Sequence, residues 1–276
     1  MLARCFHFIP ASRCELFERA LDLPTDALIF DLEDAVPETE KTAARASLER
    51  FLRAKPELVP RIYIRINGED SPHHREDLAL LATLPGFGVV YPKASLGEAL
   101  TGGYTSVGPR PTMLLCEDFR SATQLEDLVA AVGPDYLGLG VEDMFSACDL
   151  PTEELAPLVE QVETRAVLAC KACGVPIVAG IGKEYRDLET FRAQCLRARA
   201  RGFDAMFSIH PAQVSVIREV FSVPPEQVRW ARDLIAKAGD DPRCGYRSDE
   251  GGLVTPPMIR KALFILTRQE HHHATR

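Results

Sequence analysis

Acidic residues recur in this sequence at one kind of place, the end of a short apolar run. Met113-Leu114-Leu115-Cys116 is closed by Glu117-Asp118, and the run from Tyr136 to Val141 is closed by Glu142-Asp143. A helix-like segment, Ser121 to Val132, separates them. Strand, helix and strand of these lengths make a βαβ unit with parallel strands, so both acidic ends face the same sheet edge. Two carboxylates converging there suit a divalent metal. The competing reading is that Glu117 and Asp143 cap the helices that follow, since helix N-termini favour acids.

Other reactive side chains occupy the same kind of position. Asp31, Glu33 and Asp34 close one apolar run, Arg65 and Asn67 a second, Lys93 a third and His210 a fourth. Any one of them reads as a cap or a surface charge. Together with Glu117 and Asp143 they make nine polar residues at the ends of six predicted strands, which points to a functional mouth. Magnesium uses one or two carboxylates plus waters and substrate oxygens, which Glu117 and Asp143 can provide. The planar fork of Arg65 suits a substrate carboxylate. Metal and arginine together would hold a 2-oxo or 2-hydroxy acid and stabilise an enolate formed when a carbon–carbon bond breaks.

The elements that must position these residues alternate. Strands are expected at 5–10, 27–32, 61–67, 88–93, 113–116, 136–141, 175–180 and 205–211, and helices at 13–21, 37–52, 76–84, 121–132, 152–173 and 188–200. Alternating β and α segments form either an open doubly wound sheet or a closed barrel. Eight strands in a chain of 276 residues favour the (β/α)₈ TIM barrel, an α/β fold of about 250 residues. The absence of a GxGxxG turn weakens the dinucleotide-binding alternative. The barrel is expected over residues 1–224, with a C-terminal extension over 225–276 acting as a lid or an oligomer arm. In that extension 227–237 and 257–267 read as helices and 242–252 as a loop.

Composition excludes several classes. A net charge of -8 argues against a nucleic-acid or membrane-surface partner, and no apolar run approaches the roughly 20 residues that span a bilayer. The N-terminus has no apolar core of signal-peptide length. The eight cysteines are scattered, and the single CxxC pair, Cys170 and Cys173, falls on the apolar stripe of a helix with Leu155, Leu158, Val162 and Ala166. Core thiols of this kind indicate a reducing, cytoplasmic compartment. His271-His272-His273 reads as a solvated tail with at most weak metal affinity.

At these motifs the sequence resembles the citrate lyase β-subunit-like branch of the HpcH/HpaI aldolase family, which includes malyl-CoA and citramalyl-CoA lyases. The stretches that carry the resemblance are FIPASR ending at Arg13, LIFDLEDAVPETEKTAAR at 28–45, RIN at 65–67, YPK at 91–93, CEDFRS at 116–121, LGVEDM at 139–144, RD at 186–187 and GFDAMFSIHPAQV at 202–214. They span nearly the whole chain, and DLEDAV together with IHPAQV is the most specific pair. The resemblance implies a magnesium-binding TIM barrel, usually a homotrimer or hexamer, that acts on a small 2-oxo or hydroxy acid or its CoA thioester. It implies Glu117 and Asp143 as metal ligands, Arg65 as the substrate-carboxylate arginine, and Arg13 as a residue holding substrate or CoA. Glu33 and Asp34 match acids behind the metal. Lys93 is expected to contact substrate, and Asp34 or His210 to move the proton.

The expected activity is a magnesium-dependent retro-aldol or retro-Claisen cleavage of a 3-hydroxy acid or its CoA thioester, yielding a 2-oxo acid. Condensation or thioester hydrolysis at the same site, and ligand binding without turnover, remain as alternatives. Three departures from the family pattern bear on this. The first strand ends in Pro10-Ala11-Ser12-Arg13-Cys14, without the family's glycine, and the seventh carries Ala179-Gly180 where an Asp-Gly pair is common. CoA-using relatives also carry a catalytic aspartate near the C-terminus, in a Met-Val-Asp-x-Pro pattern that reaches a neighbouring subunit's site. Here that run is Leu253-Val254-Thr255-Pro256-Pro257. A threonine has no useful acid or base strength near neutral pH.

Overall fold

The computed structural model describes residues 2–100, 102–151, 154–237, 246–247 and 253–273. Eight parallel strands close into a barrel in sequence order: β1 (Cys5–Pro10), β2 (Ala27–Asp31), β3 (Ile62–Arg65), β4 (Gly88–Tyr91), β5 (Thr112–Cys116), β6 (Tyr136–Leu139), β7 (Ile177–Ala179) and β8 (Ala205–Ser208). Between and after them run α1 (Phe17–Leu21), α2 (Lys41–Arg53), α3 (His74–Thr83), α4 (Leu96–Leu100), α5 (Phe119–Thr123), α6 (Leu125–Val132), α7 (Val141–Phe145), α8 (Ala156–Cys173), α9 (Leu188–Arg201) and α10 (Pro211–Phe221). The (β/α)₈ architecture expected from the sequence is the one present.

Each strand is buried on both faces, but with different neighbours. Leu28, Phe30, Ile64 and Leu114 belong to the large core between barrel and helices. Their sequence neighbours point to the barrel axis. There Phe6 meets Tyr63, Tyr136 and Phe207 edge-on, with ring centroids 5.7, 4.9 and 6.2 Å away. Glycine makes room for these rings: a Cβ on Gly138 would lie 2.5 Å from Leu115 and 2.6 Å from Phe207.

Several boundaries differ from the sequence expectation. The segment read as one helix over 121–132 is α5 and α6, broken at Gln124. The strand expected over 205–211 ends at Ser208, and Pro211 opens α10, a helix the sequence reading did not place. Proline's fixed φ and missing N–H suit the first turn of a helix. Of the CxxC pair, Cys170 is buried but Cys173 is exposed, as is Leu158, so the apolar stripe is narrower than expected.

Residues 3–221 form one compact unit, and 222–276 together with residues 1–2 form another. The second contains α11 (Pro225–Ala236) and α12 (Pro256–His273), joined by the apolar set Val228, Ala231, Leu234, Val254, Ile259, Ala262 and Ile265. α12 is longer than the helix expected at 257–267. Most of the loop expected over 242–252 lies outside the described residues. Tyr246–Arg247 (β9), within that span, pairs antiparallel with Leu253–Val254 (β10). Among the described residues no helix is long and apolar enough to cross a membrane.

Candidate active site

The strand register decides which polar residues meet. Asp31 and Arg65 are direct partners across β2 and β3, so their side chains stand on the same, inward face. Arg65 Nε and Nη2 donate to the two Asp31 carboxylate oxygens at 2.7 and 2.6 Å. Asp31 also accepts the main-chain N–H groups of Glu33 and Ala35, at 2.9 and 3.2 Å, which shapes the turn after β2. The guanidinium also lies over the Phe8 ring, 5.1 Å from its centroid. One edge of the guanidinium expected to hold a substrate carboxylate is thus taken by Asp31. Nη1 faces Glu33, Asp34 and Glu117 at 3.0, 3.9 and 3.9 Å.

The turn carrying Glu33 and Asp34 is fixed from behind. The buried Lys41 ammonium donates to the Leu32 and Glu33 carbonyls, both at 2.9 Å, and to Asn67 Oδ1 at 2.7 Å. Asn67 donates in turn to the Leu32 carbonyl and to Asp77, which is paired with Arg45. Glu33 is left buried, with Oε1 accepting from Lys93 Nζ at 3.1 Å and Oε2 without a hydrogen bond. Burial pushes its carboxyl upward, and Asp34 adds to this against the pull of Arg65 and Lys93. Asp34 itself is exposed at the rim.

Glu117 follows β5 with the same parity as Met113 and Leu115, so it too points inward. It is 6% exposed, and its carboxyl is pushed up to about 7 by burial, with Glu33 and Asp143 adding repulsion that Arg65 partly offsets. The Lys93 main-chain N–H donates to Glu117 Oε2 at 3.0 Å. Asp143 lies on the first turn of α7, exposed to solvent. The turn before it requires glycine, since a Cβ on Gly140 would lie 2.5 Å from Glu117 Cγ. Arg65, Glu117 and Asp143 line one cavity of about 410 Å³, walled by apolar residues including Phe8, Leu115, Leu139 and Phe207.

Arg13, Glu33, Asp34, Lys93 and His210 are not among the cavity's lining residues; Glu33 and Asp34 stand beside its Arg65 and Lys93 beside its Glu117. His210 lies in the turn after β8, between Ser208 and the start of α10. It stacks on Tyr185, with centroids 4.7 Å apart, and its Nδ1 accepts the Ala212 N–H at 3.2 Å. It therefore shapes the start of α10 rather than facing the carboxylates. Arg13 is exposed in the turn after β1 and ion-paired with Glu15. The sequence put Asp31 among the polar residues of the mouth but gave it no role, and Lys41 and Gly140 were not singled out. For Asp31 the signal existed, since it shares strand parity with Glu33; Lys41 and Gly140 act through contacts that only the fold creates.

The charge balance indicates what such a site can hold. Asp31, Glu33, Asp34 and Glu117 surround the Arg65 guanidinium with Lys93 the second cation at that end, while Asp143, Glu142, Glu163, Lys183, Arg197 and Arg201 line the rest of the cavity. Close to Arg65 the carboxylates outnumber the cations, so a further cation there favours an anionic ligand. Among the described residues no three His, Cys, Asp or Glu side chains converge into a self-sufficient metal cage. Glu117 and Asp143 with open cavity beside them instead fit magnesium, which keeps waters and substrate oxygens in its shell.

A parallel barrel with carboxylates and an arginine at the C-terminal ends of its strands is the arrangement of a TIM-barrel enzyme. Residues 4–211 match the HpcH/HpaI aldolase/citrate lyase family, and the chain belongs to that family. It is 29% identical over 263 residues to a (3S)-malyl-CoA thioesterase of Cereibacter sphaeroides, covering 95% of this chain and 91% of the relative. It is 26% identical over 304 residues to an L-malyl-CoA/beta-methylmalyl-CoA lyase of the same organism, covering 97% and 94%. Among solved structures it resembles CitE of Mycobacterium tuberculosis in complex with magnesium, acetoacetate and coenzyme A. The TM-score is 0.78 at 29% identity, with 97% of this chain and 98% of that one covered.

Proposed function

We propose that this protein is a magnesium-dependent carbon–carbon lyase that cleaves a 3-hydroxy acid or its CoA thioester and releases a 2-oxo acid. The observation that carries this reading is the single cavity shared by Arg65, Glu117 and Asp143. Glu117 and Asp143 would hold the magnesium ion. When bound, it supplies Lewis-acid stabilisation of negative charge developing on substrate oxygen. Arg65, oriented by Asp31, would turn Nη1, which faces Glu33, Asp34 and Glu117, to the carboxylate of a substrate bound beside the metal. The apolar residues Phe8, Leu115, Leu139 and Phe207 beside these groups lower the local polarity and strengthen their charge interactions. Asp34, exposed beside Arg65, is the carboxylate with access to take the proton of the substrate hydroxyl. The ligands seen with the M. tuberculosis protein, acetoacetate and coenzyme A with magnesium, support this substrate class.

Thioester hydrolysis in the same cavity is the second reading, favoured by the malyl-CoA thioesterase relative. We assign the C-terminal unit the role of a lid or oligomer arm in a homotrimer or hexamer. The free cysteines fit a reducing, cytoplasmic compartment. The deciding experiment incubates the protein with malyl-CoA or citramalyl-CoA, with and without Mg²⁺, and follows both 2-oxo acid and free thiol. Cleavage releases a 2-oxo acid with the acyl-CoA intact and requires Mg²⁺ and Glu117. Free thiol without 2-oxo acid supports hydrolysis, and the absence of both products refutes either activity.

A further inference from the structure

Lys93 has φ +48, the only positive φ on a non-glycine residue among those described. Left-handed backbone is uncommon for side-chain-bearing residues and persists where the surroundings over-determine it. Here they do. Pro92 precedes it with a ring-fixed φ. On the other side, Ala94 N–H donates to the Leu115 carbonyl at 2.9 Å and Ser121 Oγ donates to the Ala94 carbonyl at 2.7 Å. Ser95 N–H is bonded to the Tyr104 hydroxyl at 2.7 Å. The chain leaving β4 is thus pinned to β5 and α5, and the reversal at Lys93 joins these fixed points.

The reversal has one consequence in the site. It aims the Lys93 N–H at Glu117 Oε2, 3.0 Å away, while the ammonium swings across to Glu33 Oε1 at 3.1 Å. Both contacts of Lys93 are to carboxylates of the protein, and its side chain is 55% exposed. Gly140, on the other side, leaves Glu117 room to stand but gives it no hydrogen bond.

We propose that Lys93 is a positioning residue for Glu117: its left-handed backbone, rather than its charge, sets the orientation of the carboxylate that faces the cavity. The inference rests on the reading of Glu117 as a magnesium ligand and assigns the residue that holds it. Outer groups of this kind typically change metal affinity by about 10- to 100-fold when removed. Glycine and asparagine accept left-handed backbone, whereas valine, branched at Cβ, does not.

The test is titration calorimetry of Mg²⁺ into the full-length parent, Lys93→Gly, Lys93→Asn, Lys93→Val and Glu117→Gln proteins, with circular dichroism and melting to confirm folding. Lys93→Gly and Lys93→Asn should bind Mg²⁺ within about threefold of the parent, because the ammonium they lose is solvent-screened. Lys93→Val should bind at least about tenfold more weakly. Lys93→Val binding like the parent overturns the proposal, as does a tenfold loss in the glycine and asparagine variants. If the valine variant does not fold, those two variants decide alone. Oxaloacetate affinity at saturating Mg²⁺ supplies the other arm: a tenfold loss in Lys93→Gly with unchanged Mg²⁺ binding would make the ammonium a substrate contact and overturn the assignment. Glu117→Gln separates the two layers, since parent-like Mg²⁺ binding there refutes the metal site itself rather than the role of Lys93.

Discussion

Glu117 behaves unlike an ordinary glutamate because it is buried among other acids. Its carboxyl is pushed up from 4.5 to about 7, with burial the main cause. Magnesium binds the ionised form, so Mg²⁺ affinity should fall by up to about tenfold per pH unit below 7. Without metal the sign for stability follows from the raised value. Its contribution is fully present below pH 4.5 and is lost as pH rises through about 7. Calorimetry between pH 5.5 and 8 checks the affinity, and a pH-independent Mg²⁺ affinity would count against the assignment. Glu117→Ala or Asp143→Ala should abolish metal-dependent ligand binding with the fold retained; unchanged Mg²⁺ affinity in both would remove them as ligands. Arg65→Lys tests the guanidinium. Lysine cannot span the two Asp31 oxygens, and a hydrogen bond to a charged group contributes about 1.5–3 kcal/mol. Both the melting temperature and the affinity for 2-oxo acids should drop. A variant that matches the parent in both would show that the pairing matters to neither.

At the scale of elements, the site depends on turns more than on strands. Each acid or base reaches the mouth because a strand ends, and the turn after it is held by an unrelated part of the chain. Lys41 holds the turn after β2, and Gly140 leaves Glu117 its space beside α7. Gly140→Ala places a methyl 2.5 Å from Glu117 Cγ, so either the glutamate or the turn must move. Mg²⁺ affinity should fall about 10- to 100-fold, comparable to the loss of an outer support. The check is a titration beside a melting curve; an alanine variant with parental affinity would show that the turn yields freely. Long periodic helices such as α2 and α9 were legible from their sequences. α10 was not, because Ile209-His210-Pro211 continues the apolar run of β8 and only the structure shows Pro211 starting a helix.

At the scale of the whole molecule, the proposed cleavage draws on the C-terminal unit, which the family resemblance brings to a neighbouring subunit's site. By that resemblance Thr255 takes the place of the acid–base aspartate. In the structure it immediately precedes α12, its carbonyl accepting the Met258 N–H at 2.9 Å. General acid–base groups contribute about 10²- to 10⁴-fold in rate. The parent should therefore cleave malyl-CoA or citramalyl-CoA slowly, and Thr255→Asp should accelerate it, as read by 2-oxo acid release with Mg²⁺. Rapid cleavage by the parent would instead place the proton transfer on another group, with Asp34 the first to test. The sequence by itself determined the alternation of eight strands and the acids at their ends, because strand period and apolar run length are local properties. It did not determine which of those acids meet. That followed from register and closure: Asp31 opposite Arg65, Glu117 lining the cavity and His210 stacked on Tyr185 outside its lining. A shift of one residue along a strand reverses the face a side chain occupies, and only pairing with neighbouring strands fixes that choice.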